Sequence, residues 1–125
     1  MGASLDMHYG YGFITGDPQE EDNSLAFEAM GIEFDEDDPS EAYYAIIKKF
    51  PGVEVASYGH YDYCYGYMIY AASTEGYSWD GAMEVSTDTF GVPTMDEIAA
   101  LSSVLGYFYP DGEKHLGHMV TVSYG

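Results

Sequence analysis

Carboxylates are the most abundant chemically active side chains in this sequence. Twenty-two Asp and Glu residues face three lysines, and there is no arginine. Eleven of these acids lie within residues 17–41, a stretch without a basic residue. The acids expected to contact a partner are Glu20, Glu21, Asp22, Glu33, Asp35, Glu36, Asp37, Asp38 and Glu41. Because carboxylates attract positive charge, the expected partner is the basic surface of another protein, or a metal ion.

The same charge balance excludes two classes of partner. Proteins bind the phosphates of nucleic acid through Lys and Arg, which displace counterions. With three such residues against a formal charge of −19, direct binding of nucleic acid is not expected. Repulsion from anionic lipid headgroups argues against binding to membrane surfaces as well.

The run Asp35-Glu36-Asp37-Asp38 suggests a calcium loop at first sight. An EF-hand loop requires a glycine at its sixth position and a glutamate at its twelfth. Counted from Asp35, those positions hold Ser40 and Ile46. The run is therefore interpreted as a solvated acidic loop that precedes a helix, with weak divalent binding as the alternative.

Other motifs for metals, cofactors or catalysis are absent from the sequence. The histidines (His8, His60, His115 and His118) have no zinc-type spacing with cysteine or carboxylate. No Gly-x-Ser-x-Gly elbow occurs, and Cys64, the single cysteine, falls in a predicted strand without a basic neighbour. Gly10 and Gly12 lie within a strand rather than at a strand-to-helix turn, where a dinucleotide site would require them. We therefore expect a non-enzymatic protein without a cofactor or metal, and a buried thiol at Cys64.

Tyrosine is the second distinctive residue type, with fourteen copies. Six lie close together: Tyr58, Tyr61, Tyr63, Tyr65, Tyr67 and Tyr70. Aromatic side chains that stack on nucleic-acid bases are accompanied by basic residues, which this region lacks. Core and cross-strand packing is the expected role. The alternative is a protein-binding sheet face that uses Tyr61, Tyr63 and Tyr65, since tyrosine anchors interfaces at low entropic cost.

Length and composition predict one folded domain over residues 1–125. The chain is 46% hydrophobic and 17% aromatic, which is sufficient for a packed core. The sequence shows no basic segment followed by an apolar run, so a signal peptide is not expected. No apolar run approaches the roughly 20 residues that span a bilayer. A cytoplasmic location is the default expectation.

Alternating apolar residues predict several strands. Leu5, Met7, Tyr9, Tyr11 and Phe13 share one parity of the first strand. Strands are expected at residues 53–58 and 63–72, joined by a turn over residues 59–62, and the second has apolar side chains on both faces. A short strand is expected over residues 83–87 after a turn at Asp80-Gly81. The last strand has its apolar parity at Leu116, Val120, Val122 and Tyr124.

Helix periodicity and capping residues predict three helices. In a short one, Asn23 or Ser24 is the candidate N-cap, the helix contains Leu25, Phe27 and Met30, and Gly31 ends it. The second has Asp38 as N-cap, Pro39 at N1 and Glu41 at N3, which together resemble a capping box. Its buried stripe contains Tyr43, Ile46, Ile47 and Phe50. In the third, Thr94 and Glu97 form a capping box, and Ile98, Leu101, Leu105 and Phe108 form the stripe.

The element order predicts an α+β fold. Two main helices between strands match the βαββαβ pattern of a ferredoxin-like sheet. Both helices would cover one sheet face, and the short acidic helix and its loop would be an insertion.

The magnitude of the charge predicts a function. A globule of this length is about 36 Å across, and a DNA segment of that length carries about 21 charges, against −19 here. The favoured hypothesis is an inhibitor that mimics nucleic acid and blocks the basic groove of a DNA- or RNA-handling protein, as acidic phage proteins do; this analogy is one of composition only. The alternatives are a structural or interaction module that uses the tyrosine-rich face, and a halophilic acidic domain. The sequence leaves the choice between a monomer and a homodimer open.

Overall fold

The computed structural model describes residues 5–16, 23–60, 63–77 and 92–124. Within them the elements are β1 (Leu5–Thr15), α1 (Ser24–Met30), α2 (Pro39–Lys49), β2 (Glu54–His60), β3 (Tyr63–Tyr77), α3 (Met95–Phe108) and β4 (Gly117–Tyr124). The predicted α+β class is confirmed. The strand expected over residues 83–87 and the turn at Asp80-Gly81 lie outside the described residues.

The four strands form a closed barrel in the order β1-β3-β2-β4. β1 pairs antiparallel with β3 and with β4, and β2 pairs antiparallel with β3. The barrel closes where the ends of β2 and β4 run parallel, through the pairs Gly59↔Ser123 and His60↔Tyr124. We call this junction the seam.

The prediction of an open ferredoxin-like sheet with two helices on one face is therefore wrong. β3 has fifteen residues and extends past the predicted end at residue 72, so that it pairs with β1 and β2 along most of their length. The pairing register shifts between Tyr9 and Tyr11 and between Tyr58 and Gly59. Such irregularities bend strands and increase their twist, which brings the two outer strands together.

One of these irregularities replaces a predicted turn. Gly59 and His60, expected in the turn after β2, belong to β2 itself. Gly59 has a φ of 140° at the register shift. This backbone conformation is accessible to glycine and unfavourable for other residues, so Gly59 marks a bulge rather than a turn.

The helices begin and end close to their predicted residues, although only one of two predicted capping boxes forms. Thr94 accepts a hydrogen bond from the Glu97 amide, and the Glu97 carboxylate accepts one from the Thr94 amide. Asp38 is the N-cap of α2 and Pro39 begins the helix, as predicted. The Asp38 side chain makes no cap hydrogen bond, however, so the prediction of a capping box in α2 is wrong. Its carboxylate accepts a hydrogen bond from the Ser40 hydroxyl at 2.6 Å instead.

The main hydrophobic core lies between the helices and the outer surface of the barrel. α2 packs against β2, α3 against β3, and α1 against α3. Its fully buried side chains include Phe13, Phe27, Tyr43, Ile46, Ile69, Leu101 and Val104. Ile47, predicted to lie in the buried stripe of α2, is 39% exposed instead.

A second, smaller core fills the barrel. It contains Ala56, Met68 and Tyr70, with Met119 packed against them. Met68 and Tyr70 alternate along β3 with Tyr67 and Ile69, which face the helices. The prediction that both faces of β3 are apolar is confirmed.

Strand β4 contradicts its predicted parity. The sequence predicts Val120 on the apolar face, but this residue is 52% exposed, whereas Thr121 is 6% exposed. The Thr121 hydroxyl donates a hydrogen bond to the Met68 sulfur at 3.4 Å inside the barrel. Because the Thr121 hydroxyl has a hydrogen-bond partner, its burial inside the barrel costs little free energy.

Among the described residues, no helix has both the length and the apolar character needed to cross a membrane.

Candidate partner-binding surface

The loop that joins α1 to α2, with the first turn of α2, forms what we call the acidic segment, residues 33–41. All six of its acids are exposed: Glu33, Asp35, Glu36, Asp37, Asp38 and Glu41. The Asp37 amide donates to the Asp35 carboxylate at 2.9 Å, and the Asp38 amide donates to the Asp35 carbonyl at 3.1 Å. These bonds fold the loop into a compact turn and leave the other carboxylates directed to solvent.

Apolar side chains attach the acidic segment to the body of the protein. Ile32, just before it, is buried, and so is Ala42, just after it. Within it, the Phe34 ring stacks on Phe27 with centroids 5.2 Å apart and planes inclined by 10°. The loop is therefore held at three points, and its acids have a defined placement.

Two of the three lysines lie beside the acidic segment. An open groove of about 620 Å³ is lined by Glu33 and Glu41 together with Lys48 and Lys49. Helix α2 causes this arrangement, because residues seven apart, such as Glu41 and Lys48, return to the same face. Residues 17–41 contain no basic residue, but the fold places Lys48 and Lys49 in one groove with Glu33 and Glu41. Asp35, Glu36, Asp37 and Asp38 do not line this groove.

The other residues predicted to bind a partner come from two stretches of the chain, 20–22 and 61–65. Glu20, Glu21, Asp22 and Tyr61 lie outside the described residues, and the side chain of Tyr63 does as well. Tyr65 is 51% exposed.

Other tyrosines of the same hairpin are used for packing. Tyr67 and Tyr70 are 4% and 3% exposed, and the Tyr58 hydroxyl donates to the Thr15 carbonyl at 3.1 Å. The Tyr67 ring stacks on Tyr43 with centroids 3.9 Å apart. Core packing, the expected role, accounts for these three residues.

Burial raises the pKa of the Tyr67 phenol well above its ordinary value, and the neighbouring Cys64 and Tyr44 raise it further. The phenol therefore stays protonated under ordinary conditions and does not act as a base. Cys64 itself is half-buried, and its thiol donates to the Gly66 carbonyl at 3.3 Å.

The histidines lie apart from one another. Although β1 and β4 pair, His8 is opposite Thr121 and His118 is opposite Tyr11. His118 stacks on Tyr9, with centroids 5.7 Å apart, and meets Tyr11 edge-on at 5.2 Å. In the described part of the chain, no group of three His, Cys, Asp or Glu side chains is placed to hold a metal ion.

Near the seam is a cavity that sequence reasoning missed. It has a volume of about 360 Å³, and we call it the seam cavity; its lining residues are His8, Tyr44, Val55, Ala56, Ser57, Tyr70 and Ser123. They come from β1, α2, β2, β3 and β4. No local sequence pattern could have predicted it, because it depends on the closure of the barrel.

Comparisons of the chain with protein-family models, curated proteins and solved structures gave no match.

Proposed function

We propose that this chain is a non-enzymatic inhibitor that imitates nucleic acid and blocks the basic groove of a DNA- or RNA-handling protein. The single observation that supports this best is the acidic segment, in which six acids are exposed on a loop fixed by Ile32, Phe34 and Ala42. A fixed array of carboxylates loses little conformational entropy on binding, as preorganised contacts do.

The position of the lysines identifies the part of the acidic segment that a basic partner would contact. Lys48 and Lys49 share a groove with Glu33 and Glu41 and reduce the charge there. The consecutive acids of residues 35–38 lie outside this groove and form the most negative part of the segment. We assign the first contact with the partner to these four.

The experiment compares two variants of equal charge. One replaces the four acids of the segment with amides (D35N, E36Q, D37N and D38N). The control replaces four exposed acids elsewhere (E28Q, D96N, D111N and E113Q). Both variants change the formal charge from −19 to −15, so any difference between them reports position rather than total charge.

The immobilised protein is exposed at low salt to the proteins of a cell lysate, and captured proteins are displaced with duplex DNA. Exposed ion pairs are worth about 0.2–1 kcal/mol each, so loss of four should weaken capture about fourfold or more. The control variant should retain most of the binding. Equal losses in both variants, or captured proteins that duplex DNA does not displace, would contradict the proposal.

The tyrosine-face alternative makes the opposite prediction. Binding through Tyr65 and its neighbours would resist salt and would be lost in Tyr65→Ala.

A further inference from the structure

The seam cavity combines aromatic walls, hydroxyl groups and an imidazole in one recess. Tyr44 is 44% exposed and Ser57 is exposed, so these two residues lie at its mouth. Tyr70, at 3% exposure, lies deep inside. His8 is beside Tyr70, with ring centroids 6.3 Å apart, and its Nδ1 atom is buried. At about 360 Å³ the cavity lies near the lower end of the roughly 300–1,000 Å³ of small-molecule sites, and therefore suits one side chain.

The surrounding charges favour a cation. Glu54 is the pairing partner of Tyr70 in the β2–β3 ladder. Side chains of paired residues project to the same face about 4.5–5.5 Å apart, which places this exposed acid next to the cavity. None of the three lysines lines the cavity. Lys48 and Lys49 line the groove beside the acidic segment, with Lys48 one helical turn beyond Tyr44, and Lys114 donates hydrogen bonds to the Ile14 carbonyl and the Tyr109 hydroxyl.

We propose that the seam cavity receives one arginine side chain from the basic partner. A planar guanidinium stacks on tyrosine faces and presents five donors. Tyr44 lies at the mouth. The Ser123 hydroxyl donates to the Ser57 carbonyl at 3.1 Å, and each of these two oxygens keeps a lone pair that can accept a further hydrogen bond. This inference rests on the proposed function, because it assumes a basic partner.

The cavity and the acidic segment lie within reach of one partner surface. Tyr44 follows Asp38 by six residues, which is about 9 Å along the axis of α2. Glu41 and Tyr44 are both exposed and three residues apart, and so share a side of that helix. A partner that contacts the acidic segment can therefore place an arginine at the cavity mouth.

The test uses acetyl-arginine amide as the probe and acetyl-citrulline amide as its neutral isostere. Each is titrated into the full chain while the ring resonances of His8 are followed by NMR, with His8→Gln to assign them. We expect the arginine compound to shift these resonances and the citrulline compound to leave them unchanged.

Two pairs of variants localise the binding. Tyr44→Ala should weaken arginine binding about two- to fivefold, from the loss of an exposed cation–π contact, whereas Tyr107→Ala, at an exposed tyrosine outside the cavity, should not. Glu54→Gln should weaken it more than Glu113→Gln. Equal responses to arginine and citrulline, or equal effects within each pair, would overturn the inference.

The outcome is separable from that of the proposed function. If no DNA-displaceable protein is captured but acetyl-arginine amide still binds at His8, the proposed function is wrong and the cavity is a site for a small cationic compound. If capture depends on the acidic segment but the arginine probe does not bind, the proposed function stands and the cavity has no part in it.

Discussion

At the scale of single residues, aromatic side chains provide most of the large contacts in the core. The Phe27 ring lies within 5.4 Å of the rings of Phe34, Tyr43 and Phe108, measured between centroids. Tyr43 in turn stacks on Tyr67, and its hydroxyl accepts a hydrogen bond from the Asn23 amide at 2.8 Å. Because each large aromatic buries about 150–250 Å², a few such residues compensate for the small number of leucines.

The raised pKa of Tyr67 predicts a pH dependence of stability. In the unfolded chain the phenol ionises at about pH 10, whereas in the folded protein it remains protonated to higher pH. The unfolded state therefore loses its proton first, and the contribution of Tyr67 is complete below pH 10 and decreases as pH rises above it. In Tyr67→Phe, the free energy of unfolding should fall less between pH 9 and pH 11 than in the unmodified protein. Urea titrations at both pH values measure this, and parallel decreases in the two proteins would contradict the assignment.

At the scale of elements, glycines in β1 and β3 explain how a four-stranded barrel closes. A Cβ on Gly12 would contact the Ile69 carbonyl oxygen and come within 2.7 Å of the Tyr70 Cα, while one on Gly10 would come within 2.7 Å of the Tyr70 ring. A Cβ on Gly66 would contact the Thr15 carbonyl. These glycines allow β1 and β3 to approach closely and leave space for Tyr70 inside the barrel.

Two glycine-to-alanine changes should therefore have opposite effects. Gly12→Ala places a methyl group against the β3 backbone and should destabilise the protein by more than about 1–3 kcal/mol, the usual cost of overpacking. Gly106→Ala, on an exposed part of α3 with no atom within 4 Å of the new Cβ, should stabilise it by up to about 1 kcal/mol through helix propensity. Thermal unfolding followed by circular dichroism tests both. An unchanged melting temperature in Gly12→Ala would show that the strands separate easily at this point.

At the scale of the whole molecule, negative charge extends beyond the acidic segment. Other exposed acids lie in helices, a strand and the loop after α3: Glu28, Glu54, Asp96, Asp111 and Glu113. Glu97 is half-buried in its capping box. This charge opposes the compact state by self-repulsion. The distribution makes position, rather than total charge, the property that separates a nucleic-acid mimic from a generally acidic protein.

Salt should stabilise the protein, and the concentration required distinguishes the hypotheses. The Debye length falls from about 10 Å at 0.1 M salt to about 3 Å at 1 M, so repulsion between surface acids is largely screened within that range. We expect a folded protein at 0.1 M NaCl whose urea midpoint rises with salt and levels off below 1 M. The variant with four amides in the acidic segment should show a shallower rise. A chain that is unfolded below molar salt would instead favour the halophilic alternative.

Much of the local structure could be predicted from the sequence. The α+β class, the strand β1, the left-handed Gly31 at the end of α1 and the capping box at Thr94 all follow from short-range rules. The exposure of the acids follows from the cost of burying charge. Each of these features depends on residues within one or two turns of each other.

Tertiary structure decided the remainder. Three features depend on contacts between residues far apart in sequence. They are the pairing of β2 with β4, the burial of Thr121 instead of Val120, and the seam cavity. The placement of Lys48 and Lys49 next to Glu33 depends on how α2 lies against the preceding loop. The sequence by itself determined the amount of negative charge and its concentration in residues 17–41. Only the fold decided which acids have a basic neighbour, because electrostatic interactions depend on distance in space rather than on separation along the chain.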